Sequence, residues 1–207
     1  MLGRFITLEG GEGVGKSTNL SFVCQWLEQQ GIDYVQTREP GGTPLAERIR
    51  VLLLDKEEDA PVPMTELLLM FAARAQHLAK VIEPALTAGK WVICDRFTDA
   101  TFAYQGYGRQ MPLAWIASLE QLVQQGRQPD LTLYLDAPLE ISMARVVKRQ
   151  QQLDRFEQEE LAFFERVRQG YLARAAEQSR FSVIDASQEL AQVQQQLLRA
   201  LSQWQAT

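Results

Sequence analysis

Between the apolar run Phe5, Ile6, Leu8 and a helical pattern carried by Leu20, Val23, Cys24 and Leu27, the chain inserts Glu9-Gly10-Gly11-Glu12-Gly13-Val14-Gly15-Lys16-Ser17-Thr18. Gly10, four further residues, then Gly15-Lys16-Ser17 is the spacing of a loop that wraps a phosphate, and its flanks are the strand and helix that such a loop requires. Glycine tolerates positive φ and brings no Cβ, so successive backbone N–H groups can turn towards one anion. Lys16 adds a cation that reaches the outer phosphates, Ser17 a hydroxyl suited to Mg²⁺, and the helix opening at Lys16 aims its positive dipole end at the same place. A glycine-rich turn that happens to end in Lys-Ser is the alternative. The strand before it and the helix after it argue against that.

The rest of the chain continues the alternation that this loop begins. Asp33 to Thr37, Trp91 to Cys94, Leu131 to Asp136 and Phe181 to Ile184 read as strands. Helical patterns lie between them, from Pro44 to about Leu54, from near Thr65 to Leu86, from Pro112 to Gln125, after Pro138, from Glu157 to about Gln178 and from Glu189 to Trp204. Alternation of this kind predicts an α/β fold with about five parallel strands. The 207 residues suit one domain spanning 1–207, without repeat or linker. Asp55 to Pro63 is charged and patternless, and reads as a mobile loop.

Net charge is −5, which argues against a nucleic-acid surface as the main function. Cys24 and Cys94 lack metal-ligand spacing and read as buried thiols. The N-terminus has no signal-peptide layout, and no apolar run is long enough to cross a bilayer, so a cytoplasmic enzyme with no membrane partner is expected.

Candidate site residues gather where strands end. Arg38-Glu39-Pro40-Gly41-Gly42 follows the second strand and Asp95-Arg96 closes the third, the latter readable either as a ligand site or as a structural ion pair. Thr101, Tyr104, Gln105 and Arg109 combine aromatic, amide and cation in the manner of a heterocycle site. His77 sits on the long helix with Arg74 and reads as a partnered or surface histidine rather than a base. Arg145, Lys148 and Arg149 approach Gln150-Gln151-Gln152 and Asp154-Arg155, which is either a solvated helix face or a lid at about 149–155.

Gly10 to Thr18, Thr37 to Thr43, Asp95-Arg96-Phe97, Ala103-Tyr104-Gln105-Gly106 and Asp154-Arg155 together resemble the bacterial thymidylate kinases, in order and over nearly the whole chain. The resemblance implies a three-layer P-loop nucleoside-monophosphate kinase fold that forms a homodimer. It further implies ATP with Mg²⁺ as the phosphoryl source and dTMP as the acceptor. Residues Gly10 to Thr18 would bind ATP, with Ser17 and Asp95 serving the metal. Arg38, Arg50 and Arg96 would surround the dTMP phosphate, with Glu39 orienting that arginine group, and Glu12 would meet the 3′-hydroxyl. Tyr104 would pack under the deoxyribose, while Thr101, Gln105 and Arg74 would hold the thymine edge. The family's stacking aromatic falls four residues before the base-binding arginine, where this chain has Met70; Phe71 stands at three and is assigned the stacking role, with Met70 as its alternative. Lys16, Arg96 and a lid arginine, Arg149, would carry catalysis. A different nucleotide kinase, or a P-loop switch with no acceptor, are the competing functions.

Overall fold

The computed structural model describes residues 3–55, 60–148, 155–157 and 159–205. Five strands, β1 (Phe5–Glu9), β2 (Tyr34–Arg38), β3 (Trp91–Asp95), β4 (Leu131–Asp136) and β5 (Phe181–Asp185), form one parallel sheet in the order β2-β3-β1-β4-β5. The burial of each strand matches its place. β1 and β4 are apolar and covered along nearly their whole length, whereas the edge strands β2 and β5 are half-exposed and carry polar residues. Because side chains alternate across a strand, Ile6 and Leu8 of β1 enter one layer, with Val23, Leu27, Leu197 and Leu201, while Phe5 enters the other, with Ile82, Leu86, Val92 and Phe97. The first layer is built by α1 (Lys16–Gln29) and a C-terminal helix over Leu190–Gln205.

Helix α2 (Pro44–Leu54) starts as its sequence dictates, with Oγ1 of Thr43 accepting from the Ala46 N–H (3.1 Å) and Pro44 at the first turn. The expected continuous helix to Leu86 is instead three pieces. α3 (Pro63–His77) passes through a π-helical turn, Leu78–Ile82, into α4 (Glu83–Thr87). Pro84 explains the interruption. It has no N–H and its ring would strike the carbonyl one turn back, and the widened turn, in which the Glu83 N–H donates to the Leu78 carbonyl, relieves that clash.

Phe97 to Arg109 was expected to carry binding groups, without an assigned helix, and it folds as α5 (Thr98–Thr101) and a second π-helical segment, Phe102–Gly108. It is buried almost throughout, which leaves no polar face and hence no periodicity to read. α6 (Leu113–Gln124) follows, then α7 (Leu139–Lys148), α8 (Leu161–Glu177) and the C-terminal α9 (Leu190–Gln205). α8 lies against the π-helical segment, where a Cβ at Gly108 would come within 2.6 Å of the Phe163 ring. Both cysteines are buried and free. Among the described residues no helix is long and apolar enough to cross a membrane. Residues 56–59 of the expected mobile loop, and 149–154 of the expected lid with Arg149, lie outside the described residues.

Candidate active site

The carboxyl ends of β1 and β3 meet in register, Leu8 opposite Asp95, and the loop from Gly10 to Gly15 leaves the sheet there. Gly10, Gly13 and Gly15 all have positive φ, and a Cβ on Gly13 would lie 2.0 Å from the Ser142 carbonyl oxygen, so α7 holds the loop closed against any larger residue. Inside it, the Lys16 ammonium donates to the carbonyls of Gly10 (3.0 Å) and Gly11 (2.8 Å). Burial lowers the pKa of Lys16, and the nearby Arg96 guanidinium lowers it further.

Arg96 is at φ +68°, a conformation few non-glycine residues adopt. Its Nη1 donates to the Gly10 carbonyl (2.8 Å) and to the Tyr171 hydroxyl (3.1 Å), its Nη2 donates to Glu12, and its guanidinium lies 4.8 Å from the centre of the Tyr104 ring. The Tyr104 hydroxyl also donates to Glu12 (3.0 Å). The ion pair between Asp95 and Arg96 considered from sequence is therefore not formed; Glu12 takes its place. Oδ1 of Asp95 is instead buried with no hydrogen-bond partner among the described residues.

Beside this cluster lies Glu9, which sequence reasoning counted only as the first residue of the glycine-loop stretch. Its Oε1 accepts the Phe97 N–H (2.7 Å) and its Oε2 the Tyr171 hydroxyl (2.9 Å). Burial, reinforced by Asp99, pushes its pKa from the usual 4.5 up to about 7. The native state thus binds more protons at this carboxyl than the unfolded chain does between those two values, so its contribution to stability falls as pH rises across that window and levels off above it. Denaturant unfolding at intervals from pH 4.5 to 8 is expected to show a flatter stability profile for Glu9→Gln than for the parent. Parallel profiles would remove Glu9 as the source.

A second group of contacts is built around Arg74. Its Nε donates to Glu39 (2.7 Å) and its Nη2 to Oγ1 of Thr101 (3.0 Å), while Nη1 is buried without a partner among the described residues. The other Glu39 oxygen lies 2.9 Å from Nδ1 of His77, whose Nε2 is 2.7 Å from Oγ1 of Thr37. Both ring nitrogens are occupied, as expected of a partnered histidine. Glu39 therefore corrects an expectation: it orients Arg74, not Arg38, Arg50 and Arg96. Those three are also not one group. Arg50 lines the cavity with Nη1 on the Pro40 carbonyl (3.1 Å), whereas Arg38 is 53% exposed, pairs with Glu47 (2.9 Å) and stands outside the cavity wall.

One cavity of about 460 Å³ joins these parts. Gly13 to Thr18 line it, as do Glu12, Asp95 and Arg96, and so do Arg74, Thr101, Tyr104 and Gln105. Gly10 and Gly11 reach it through the Lys16 ammonium that they hold. Phe71 does not line it. It is 2% exposed, packed with Leu67, Phe102, Met111 and Ile116, and its ring lies 4.7 Å from the Arg74 guanidinium; Met70 lines the cavity instead. One residue along a helix turns a side chain by about 100°, enough to exchange pocket for core. Sequence reasoning also missed Tyr171 and Phe156, and it grouped Arg145 with the lid, although Arg145 lines this cavity with Nη1 on the Ala186 carbonyl (2.8 Å). A carboxylate ending an apolar strand, Glu9, was the available signal for the buried cluster.

The sheet order, the loop and the cavity beside it define the P-loop nucleotide kinase class. The family profile described as thymidylate kinase matches residues 8–197. The thymidylate kinase of Chromohalobacter salexigens is 63% identical over 97% of this chain and 96% of its own. That of Pseudomonas entomophila is 62% identical over 94% and 92%, and that of Alcanivorax borkumensis 56% identical over 100% and 99%. The chain belongs to the thymidylate kinase family.

Proposed function

We propose that this protein transfers the γ-phosphoryl group of ATP to dTMP, giving dTDP and ADP, as one catalytic unit spanning residues 1–207. The observation that carries this reading is one cavity lined both by the phosphate loop and by Arg74, whose Nη1 is buried without a hydrogen-bond partner among the described residues. A polar atom buried without a partner costs free energy, and a pyrimidine carbonyl would satisfy it. The testing experiment is ATP turnover with Mg²⁺ across a panel of nucleoside monophosphates. Turnover that requires dTMP supports the reading; turnover with another monophosphate, or slow hydrolysis indifferent to all of them, replaces it by one of the competing functions.

Both reactants are polyanions, so positioning and charge neutralisation are the main work. Lys16 exchanges its two carbonyl partners for phosphate oxygens, and Arg96, anchored from behind by Glu12 and Tyr171, stands between donor and acceptor. The acceptor is an anionic phosphate oxygen and needs no general base. Mg²⁺ fits the donor set, since Oδ1 of Asp95 is a buried oxygen without a partner among the described residues and Ser17 lines the same cavity. When bound, the metal neutralises phosphate charge. Arg50 serves the acceptor phosphate and Tyr104 the sugar. The segment from about 149 to 155 acts as a lid bearing Arg149. Its last residue, Arg155, donates through Nε to the Leu53 carbonyl (2.9 Å).

Met70 rather than Phe71 supplies the apolar face for thymine in this reading. Met70→Ala is expected to raise the Michaelis constant for dTMP several-fold with little change in melting temperature. Phe71→Ala should instead lower stability by about 3–5 kcal/mol, the cost of emptying a buried aromatic site. The reverse pattern in steady-state kinetics and thermal unfolding would return the base to Phe71.

The protein works as a cytoplasmic homodimer in this reading. Helices α2, α3 and α6 pack in series, and each carries large exposed apolar side chains, Leu52, Leu68 and Trp115 among them, that a second copy would cover.

A further inference from the structure

Glu66 lies on α3, fully buried, and bonds neither the phosphate loop nor Arg96. Its carboxylate takes Nη2 of Arg155, Nε and Nη2 of Arg109 (3.4 and 3.3 Å) and, on Oε1, the side-chain amide of Gln105 (2.8 Å). A carboxylate between two guanidinium groups only accepts hydrogen bonds. Gln105 must therefore present its NH₂ to Glu66. Its Oε1, which has no hydrogen bond among the described residues, is left as the free polar atom of a residue that lines the cavity.

We infer that Glu66 is a specificity-determining positioning residue: by locking the Gln105 amide in one orientation it makes the base end of the cavity a donor beside an acceptor, the pattern that accepts thymine and refuses cytosine. This rests on the thymidylate reading of the cavity. The donor is Nη1 of Arg74 and the acceptor is Oε1 of Gln105. Thymine offers O4 as acceptor and N3–H as donor, complementary on both counts. Cytosine offers an amino group where O4 stands and a bare N3, so both contacts become mismatched. A free glutamine would flip and recover one of them, because its oxygen and nitrogen are nearly interchangeable in shape. Glu66 removes that freedom, leaving buried polar groups unpaired whenever the wrong base enters.

The test uses kcat/KM for dTMP, dUMP and dCMP in the parent and in Glu66→Gln. An amide at position 66 can donate to Oε1 of Gln105 and turn its NH₂ into the cavity. The dTMP to dCMP ratio is expected to fall by roughly tenfold or more, with the dTMP to dUMP ratio unchanged because uracil shares the thymine edge. Arg109→Met, which loosens the same cluster but keeps the contact between Glu66 and Gln105, should retain the parent's dTMP to dCMP ratio. A preserved ratio in Glu66→Gln, or an equal loss in Arg109→Met, overturns the inference. Should Glu66→Gln fail to fold, the side-chain amide protons of Gln105 in the parent decide by NMR. Slow exchange with solvent, before and after dTMP is added, supports the lock, and free exchange without nucleotide refutes it. A parent enzyme inactive on dTMP would sink the proposed function, whereas an active parent with an unlocked Gln105 would sink this inference alone.

Discussion

Lys16→Ala is expected to lose turnover by roughly a thousandfold or more while keeping its thermal unfolding midpoint within a few degrees. The reason lies in what the ammonium touches. It holds two loop carbonyls, those of Gly10 and Gly11, and hydrogen-bonds no core side chain among the described residues. Those carbonyls can take water in its absence, so the fold loses little. Burial lowers its pKa and the Arg96 charge lowers it further, an unfavourable setting for the cation that a bound phosphate would relieve. Phosphoryl transfer depends on such preorganised charge, and although Arg96 shares the Gly10 carbonyl with Lys16, only the ammonium also reaches the Gly11 carbonyl among the described residues. Measured kcat near that of the parent would exclude the loop from the reaction.

Arg96→Ala is expected to lower kcat by a comparable factor and to leave ATP affinity within a few-fold of the parent. Its guanidinium is fixed by the Gly10 carbonyl, Tyr171 and Glu12, and it stacks on Tyr104, so its position is set before any ligand arrives. That rigidity is worth most in the transition state, when charge spreads across the transferring group. Arg96→Lys should not rescue, because the Gly10 carbonyl, Tyr171 and Glu12 would take all three donors of an ammonium, whereas the planar guanidinium keeps further N–H groups for phosphate. Titration calorimetry with a non-hydrolysable ATP analogue separates the two quantities. Equal losses of affinity and turnover would make Arg96 a structural residue of the loop.

The sheet was legible because its signals are local and strong. β1 and β4 are short apolar runs closed by polar residues, and Thr43-Pro44 announces α2 through capping chemistry alone. The π-helical turns were not legible, since the first answers a clash created by Pro84 one turn ahead, and the second is buried from all sides. The phosphate loop could be read to the residue, being a contiguous motif. The acceptor end could be read only as a set of residue types. Which of Met70 and Phe71 faces the cavity depends on how α3 sits against α6. Whether Glu39 serves Arg74 or the other arginines depends on the approach of α3 to the end of β2, as the Glu39, His77 and Thr37 contacts record. Such choices are made by long-range packing and leave no periodic trace.

The central position of β1 also governs when the protein can first hold a nucleotide. β1 pairs with β3 and β4, whose partner residues lie 87 and 125 positions further along the chain, as in Phe5 with Val92 and Ile6 with Leu131, and Gly13 is closed in by Ser142 of α7. During synthesis the phosphate loop emerges among the first residues, yet the last of the walls that shape it, Ser142 of α7, arrives only after two thirds of the chain has been made. Loop closures of that span precede the contacts that reward them, so the ribosome releases this loop long before it can close on a phosphate. A nascent chain stalled before β4 is complete would carry the whole motif and hold no ATP, and the capacity to bind would arise late and abruptly as elongation passes α7.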